Sequence, residues 1–325
     1  VSPKDYAAAV RDRLNKKFGV GTAINIGDKG ASKSEVTEFI STGIDVVDRY
    51  VIGAGGLPVK QMVEVFGDEG TAKTSFALSC CANAIRLGGI AVYCDTEHSL
   101  QQERANTFGI EDLDRFIFLQ PRTIEEAIDQ MYEAALSIPD GTGPNIVAWD
   151  SLAASASKEE LDGEAAGALM AGNAKLIHRF CKKLHSVSIE KRLALLVVNQ
   201  TRDNIGVMFG SKVTTPGGKG TKFTSMVRLY LTQGDKPERD HRDVKFTAKK
   251  NKLCAEQMRE GVARLNYAGG WENVWSTIRL AKELELIKDN ARGEKAYLEA
   301  IEKLGWKDVV TRTRLGGKNG DEEVS

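Results

Sequence analysis

Proline is scarce in this chain, cysteine and histidine scarcer still, and long apolar runs are absent: 325 residues hold 7 Pro, 5 Cys and 4 His. No stretch approaches the roughly 18 apolar residues that a membrane-spanning helix needs, so no membrane role is expected. The cysteines (Cys80, Cys81, Cys94, Cys181 and Cys254) are odd in number and lack Cys-x-x-Cys spacing, which argues against a disulfide or zinc framework. They fit a reducing, cytoplasmic setting as small buried apolar groups. The opening Val1-Ser2-Pro3-Lys4-Asp5 lacks the layout of a secretory signal. Net charge is missing too, since 45 basic and 45 acidic side chains cancel. Bulk charge therefore predicts no polyanionic partner. Its distribution is uneven, however: residues 171–260 carry 19 Lys/Arg against 8 Asp/Glu. A basic third is compatible with nucleic-acid phosphates and equally with a solvated lysine-rich face.

The pattern along the chain is that of an α/β protein. Tyr6, Val10 and Leu14 fall on one helical stripe, and glycines at 19, 21, 27 and 30 loosen the chain to about residue 35. From Glu38 onward strands and helices alternate. Met62–Phe66, Ile90–Cys94, Asn145–Trp149 and Leu193–Val198 read as strands, and 75–87, 123–137 and 161–187 as helices. Such alternation predicts a mostly parallel sheet with helices on both faces. Met226–Thr232, Asp243–Lys250 and Gly261–Asn266 read as antiparallel additions at one edge. Three regions are expected: 1–35, 36–268, and a small helical region with a fraying tail over 269–325.

Gly67-Asp68-Glu69-Gly70-Thr71-Ala72-Lys73-Thr74 follows the first strand and matches a phosphate-binding loop in all but one letter. Backbone N–H groups of such a loop wrap phosphates, the next helix points its positive end at them, Lys73 reaches the terminal phosphates and Thr74 holds Mg²⁺. Ser75 continues into the helix. Ala72 stands where the pattern has Gly. A methyl group there costs little in a helical turn and about 1 kcal/mol if φ is positive.

Asp150 ends a strand and is expected to hold Mg²⁺ through water, with a helix N-cap at Asp150 or Ser151 as the alternative. Asp95-Thr96-Glu97-His98 follows another strand, taken as a neighbour of the loop strand; Glu97, with Asp95 as its competitor, is placed to orient a hydrolytic water. The strongest buried strand ends in Gln200 and opens into a loop of about twenty residues, a length that is usually functional. That loop mixes Arg202, Lys212, Lys219 and Lys222 with glycines and with Ile205, Val207, Met208 and Phe209. Cations for phosphates and apolar wedges against bases describe a reader of single-stranded nucleic acid; a lid docked on its own protein is the plainer reading. Lys250 and Lys252 taken alone read as an edge-strand guard.

These stretches, with Ile40-Ser41-Thr42-Gly43, Gly53-Ala54-Gly55-Gly56-Leu57-Pro58, Trp149–Ala154, Asn199–Gly210 and Lys249-Lys250-Asn251-Lys252, resemble the bacterial RecA recombinases from the N-terminal helix to about residue 266. The chain reads as a divergent member. The resemblance implies an ATP- and Mg²⁺-dependent recombinase that forms helical filaments on single-stranded DNA, pairs it with a homologous duplex and exchanges strands. It implies that residues 67–75, Arg104 and Asp150 hold the nucleotide, that Thr74 and Asp150 hold the metal, and that Glu97 is the hydrolytic base. Gln200 would sense the γ-phosphate, and Lys250 and Lys252 would enter the neighbouring subunit's site. The first DNA loop would run from Glu160 to Met170, with Lys175 on the following helix. Arg202, Ile205, Met208, Phe209, Gly217, Gly218 and Lys219 would form the second, and Phe223 a subunit interface.

Three departures stand out: Ala72, Arg104 where the family has an aromatic against adenine, and a plain Ala165–Ala168. A hexameric motor on the same core is the alternative, which the lysine pair in place of an arginine finger disfavours.

Overall fold

Side chains alternate between the two faces of a strand, and that alternation decides which residues meet at the end of this sheet. In the computed structural model the described residues are 3–28, 32, 35–163, 166–203, 213–235, 238–256 and 258–306; of Pro3, 166–172, Asp203, Val213 and Lys219 only the backbone is described. The chain divides at residue 37 into two units. The first holds helix α1 (Pro3–Phe18). Asn15 then fixes the following turn, exchanging two 2.9 Å hydrogen bonds with the Ala23 backbone. Tyr6, Val10, Leu14 and Phe18, each four residues apart, form one exposed stripe on α1.

The second unit contains a nine-stranded sheet. Its strands are β1 (Met62–Gly67), β2 (Ala91–Asp95), β3 (Phe116–Leu119), β4 (Asn145–Asp150), β5 (Leu193–Gln200), β6 (Val227–Gln233), β7 (His241–Asn251), β8 (Glu260–Asn266) and β9 (Gly270–Glu272). Their spatial order is β9-β8-β7-β6-β1-β5-β4-β2-β3. The six from β6 to β3 run parallel, and β7 to β9 add antiparallel at one side. The expected mostly parallel sheet is present.

Four details differ from the sequence reading. The strand after Met226 is parallel, because a crossover through the short helix Lys219–Thr224 returns the chain beside β1 in the same direction. Strand β2 does not neighbour the loop strand; β5 and β4 lie between them. The stretch read as one helix from 161 is two, Lys158–Leu161 and Ala166–Glu190. Strands β3 and β9 have four and three residues, too short to show a period. Strand β9 extends the sheet past residue 268.

One face of the sheet (Val63, Val65, Ala91, Tyr93, Ile146, Ala148, Leu196, Val198) packs on helix α2 (Lys73–Arg86) through Phe76, Ala77 and Cys80. The other (Met62, Val92, Cys94, Val147, Trp149, Leu195, Val197) packs on Ile124–Ser137 and Ala166–Glu190. Trp149 meets Phe180 edge-on at 4.7 Å there. Each large apolar side chain so buried contributes about 1.5–3 kcal/mol. Cys80, Cys81, Cys94 and Cys181 are buried in these layers as free thiols. By the same parity Asp95, Asp150 and Gln200 finish their strands on the α2 face, and Glu64 and Asn199 lie on the opposite one. No helix among the described residues is long and apolar enough to cross a membrane.

Candidate active site

Strand β1 delivers the chain to Gly67, where a Cβ would lie 2.2 Å from the Leu231 carbonyl oxygen, so only glycine fits. The loop turns through Gly70 at φ 73° and Ala72 at φ 64°, ψ 27°, and α2 starts at Lys73. Ala72 is therefore left-handed, the costlier of the two expectations. Lys73 Nζ donates to the carbonyls of Gly67 (2.9 Å) and Asp68 (2.6 Å). Burial lowers its proton affinity, and the nearby carboxylates of Asp150, Glu97, Asp68 and Glu69 oppose that.

One pocket is lined by Glu69 to Ser75 together with Glu97, Arg104, Asp150, Gln200, Arg242, Leu265 and Tyr267, joining segments far apart in the chain. Asp150 is buried and accepts a 2.5 Å bond from Tyr93 Oη, and the Thr74 hydroxyl donates to it. Burial pushes this carboxyl up to about 6; the two hydroxyl bonds lower it, and Glu97 and Asp95 raise it. A Thr hydroxyl against a carboxylate, with further acids close by, is a set of hard oxygens suited to Mg²⁺ beside phosphates. The helix N-cap reading fails: Ser151 makes no capping bond, and Ser151 Oγ donates to Glu97 Oε1 at 2.7 Å.

Asp95 and Glu97 separate cleanly. Asp95 is buried and accepts from the backbone N–H groups of Glu97, Ser99 and Leu100, so its carboxylate shapes the turn. Glu97 lines the pocket, and Gln200 Nε2 lies 3.4 Å from the same Oε1. Next along the chain, Thr201 donates to Asp68 Oδ1, and its N–H reaches the Gly67 carbonyl at 3.3 Å. The start of the long loop is thus tied to the phosphate loop.

Behind it, buried Glu64 accepts from Arg228 Nε (2.5 Å), Asn199 Nδ2 (3.0 Å) and Thr221 Oγ1 (3.3 Å). Asn199 Nδ2 also reaches the Pro216 carbonyl at 3.0 Å. Both stems of the 200–218 loop are held by that cluster, and Arg202–Asp203 pairs with Val213–Thr214 between them.

A second cavity brings Glu160 of the first expected loop and Asn173 of the helix after it against Arg202, Gly217 and Gly218 of the second. Lys175 is exposed on the helix between. Met170 and Lys219 have only their backbone described, and Ile205, Met208 and Phe209 lie outside the described residues. Lys250 and Lys252 do not line the nucleotide pocket. Lys250 Nζ donates to the carbonyls of Lys222 (2.7 Å) and Phe223 (3.2 Å), Lys252 is exposed, and Phe223 is 69% exposed. Strand β7 pairs with β8 only as far as Thr247, so Lys250 and Lys252 lie beyond that pairing.

Sequence reasoning missed Tyr93, Ser151, Thr201, Arg242, Leu265 and Tyr267. Ser151 and Thr201 each follow a residue that was singled out, so strand-end position could have found them. Arg242, Leu265 and Tyr267 reach the pocket only through the pairing of β7 with β8, in which Arg242 faces Leu265. No local pattern announces that.

A parallel sheet with a phosphate loop at the end of a central strand, and acidic groups at the ends of neighbouring strands, defines a P-loop ATPase fold. The family model described as the RecA N-terminal domain matches residues 4–271. The chain is 32% identical to Protein RecA of Streptococcus agalactiae serotype III (strain NEM316) over 284 residues, covering 85% of this chain and 72% of that protein. It is 32% identical to Protein RecA of Clostridioides difficile (strain 630) over 282 residues, covering 85% and 78%. Against Protein RecA of Streptococcus sanguinis (strain SK36) it is 30% identical over 333 residues, covering 95% and 84%. The chain belongs to the RecA family of recombinase ATPases.

Proposed function

We propose that this chain is an ATP-dependent homologous recombinase that coats single-stranded DNA as a helical filament, pairs it with a homologous duplex and exchanges strands. One observation carries the reading: Gln200 lies beside Glu97 in the nucleotide pocket and is the residue from which the long basic loop departs. In this reading the loop N–H groups, Lys73 and Ser75 bind the triphosphate, and Thr74 and Asp150 hold the Mg²⁺ that neutralises its charge. Glu97, fixed by Ser151, orients water toward the γ-phosphorus. Gln200 and Thr201 pass the state of the phosphates to the loop, where Arg202, Gly217 and Gly218 meet DNA beside the flank of the Glu160–Met170 segment. Lys250 and Lys252 complete a neighbour's site, and Phe223 and the α1 stripe supply apolar contact between subunits. Exposure of Lys252 and Phe223, and the position of half-buried Lys250 outside this chain's own pocket, support those roles.

The test is ATPase activity with and without single-stranded DNA, alongside negative-stain images with an ATP analogue. Filaments and a DNA-stimulated rate are expected. A rate indifferent to DNA, or closed rings, would overturn the coupling.

A further inference from the structure

Tyr93 holds one of the pocket's residues without lining the pocket itself. It lies on β2, two residues before Asp95, on the sheet face that meets α2. Its partner across to β4 is Ala148, and Asp150 follows two residues later on the same face. The small side chain at 148 leaves the tyrosine ring room to lean along the strand, and Tyr93 Oη donates to Asp150 Oδ2 at 2.5 Å. Both residues are buried, at 1% and 4% exposure.

Ring and hydroxyl have separate uses. The ring packs on Phe116 and Phe118, with centroids 5.8 and 6.5 Å away, and that packing needs no polar atom. A phenylalanine would fill the same space. A buried hydroxyl is unfavourable unless it is hydrogen-bonded, and here its acceptor is the carboxylate at the end of β4. Hydroxyl–carboxylate bonds of this length belong to the stronger class. Thr74, in the first turn of α2, donates to the same carboxylate. Asp150 is therefore gripped from two elements, and its Oδ2 is committed to β2.

Mg²⁺ demands near-ideal octahedral placement of its oxygens, and the groups behind a metal ligand set that ligand's orientation. We propose that Tyr93 is a positioning residue for the metal site: by holding Oδ2 it fixes the orientation in which Asp150 meets the cation that accompanies ATP. The proposal rests on the nucleotide reading above and adds to it a residue outside the pocket lining.

Mn²⁺, whose binding is read directly by electron paramagnetic resonance, tests it on the full chain with a non-hydrolysable ATP analogue. Tyr93→Phe keeps the ring and should weaken Mn²⁺ about tenfold or more, while affinity for the same analogue in EDTA stays within about twofold. In an Asp150→Asn background the same substitution should change Mn²⁺ affinity less than about twofold, because the carboxylate it positions is gone. Native Mn²⁺ affinity in Tyr93→Phe, an equal loss of metal-free nucleotide binding, or an undiminished effect beside Asp150→Asn would each overturn the proposal. A native chain that binds neither the analogue nor Mn²⁺ would sink the nucleotide reading as well, which keeps the two failures apart.

Discussion

Ser151 Oγ and Glu97 Oε1 lie 2.7 Å apart, and this bond fixes the one acid of the 95–97 pair that lines the pocket. Two strand ends, β4 and β2, are thereby joined at the pocket. Removing the hydroxyl leaves Glu97, among the described residues, with the longer approach of Gln200. Ser151→Ala is expected to lower kcat for ATP about tenfold to a hundredfold, roughly the worth of one hydrogen bond to a charged group, with KM changed less than about twofold. Steady-state kinetics with saturating single-stranded DNA checks this. A rise in KM at unchanged kcat would show that Ser151 serves binding.

Ala72 sits at φ 64° in the turn before α2. A left-handed alanine costs about 1–2 kcal/mol, whereas glycine adopts that conformation without a clash. Ala72→Gly should therefore stabilise the protein by about 1 kcal/mol despite the larger unfolded-state entropy of glycine. The denaturant midpoint should move upward, and a downward shift would contradict the strain.

Asp48 is buried and accepts from Ser41 Oγ (2.6 Å), Thr42 Oγ1 (2.7 Å) and the Thr42 N–H (3.0 Å). Burial raises its carboxyl to about 7, against which the hydrogen bonds work. Unfolded, the group titrates near 3.8. Between those values the folded chain holds the proton and the unfolded chain does not. This group's contribution is therefore fully present below about 4, falls as pH rises, and is lost above about 7. In Asp48→Asn that dependence disappears. Relative to the variant, the native protein should lose about 2–3 kcal/mol between about pH 5 and pH 7.5. Urea unfolding of both proteins at the two pH values measures it, and parallel curves would refute it.

Glu64 is fully buried, and Arg228 is its one ionic partner among the described residues, at 2.5 Å. Arg228→Ala leaves a buried carboxylate without its cation and should cost about 3–5 kcal/mol. Adding Glu64→Gln should return half or more of that, because the charge goes with its partner. A double-mutant cycle gives the coupling; additive losses would mean that the two side chains act separately.

Much of this molecule was legible because its signals are local. The phosphate loop, the strand ends at Asp150 and Gln200, and the exposed stripe on α1 follow from spacing over a few residues. Sheet order was not legible. Glu97 was placed beside the loop strand, yet two strands intervene, and the side chain still reaches the pocket because β2 and β4 end level, Asp95 against Asp150. Arg242 and Tyr267 are distant in sequence from the loop they face, and only the register of β7 on β8 brings them there. Short edge strands such as Phe116–Leu119 carry no period to read. Ala72 was the converse case: the letter was visible, and its meaning depended on a single dihedral angle.

Asn199 and Gln200 are neighbours on β5, so one engages Glu64 beneath the sheet while the other stands beside Glu97 above it. Insertion of a single amino acid upstream in β5 would turn each amide to the opposite face of the sheet, taking Asn199 away from Glu64 and Gln200 away from Glu97. An odd-numbered length change in that strand would therefore separate both amides from the partners they hold here.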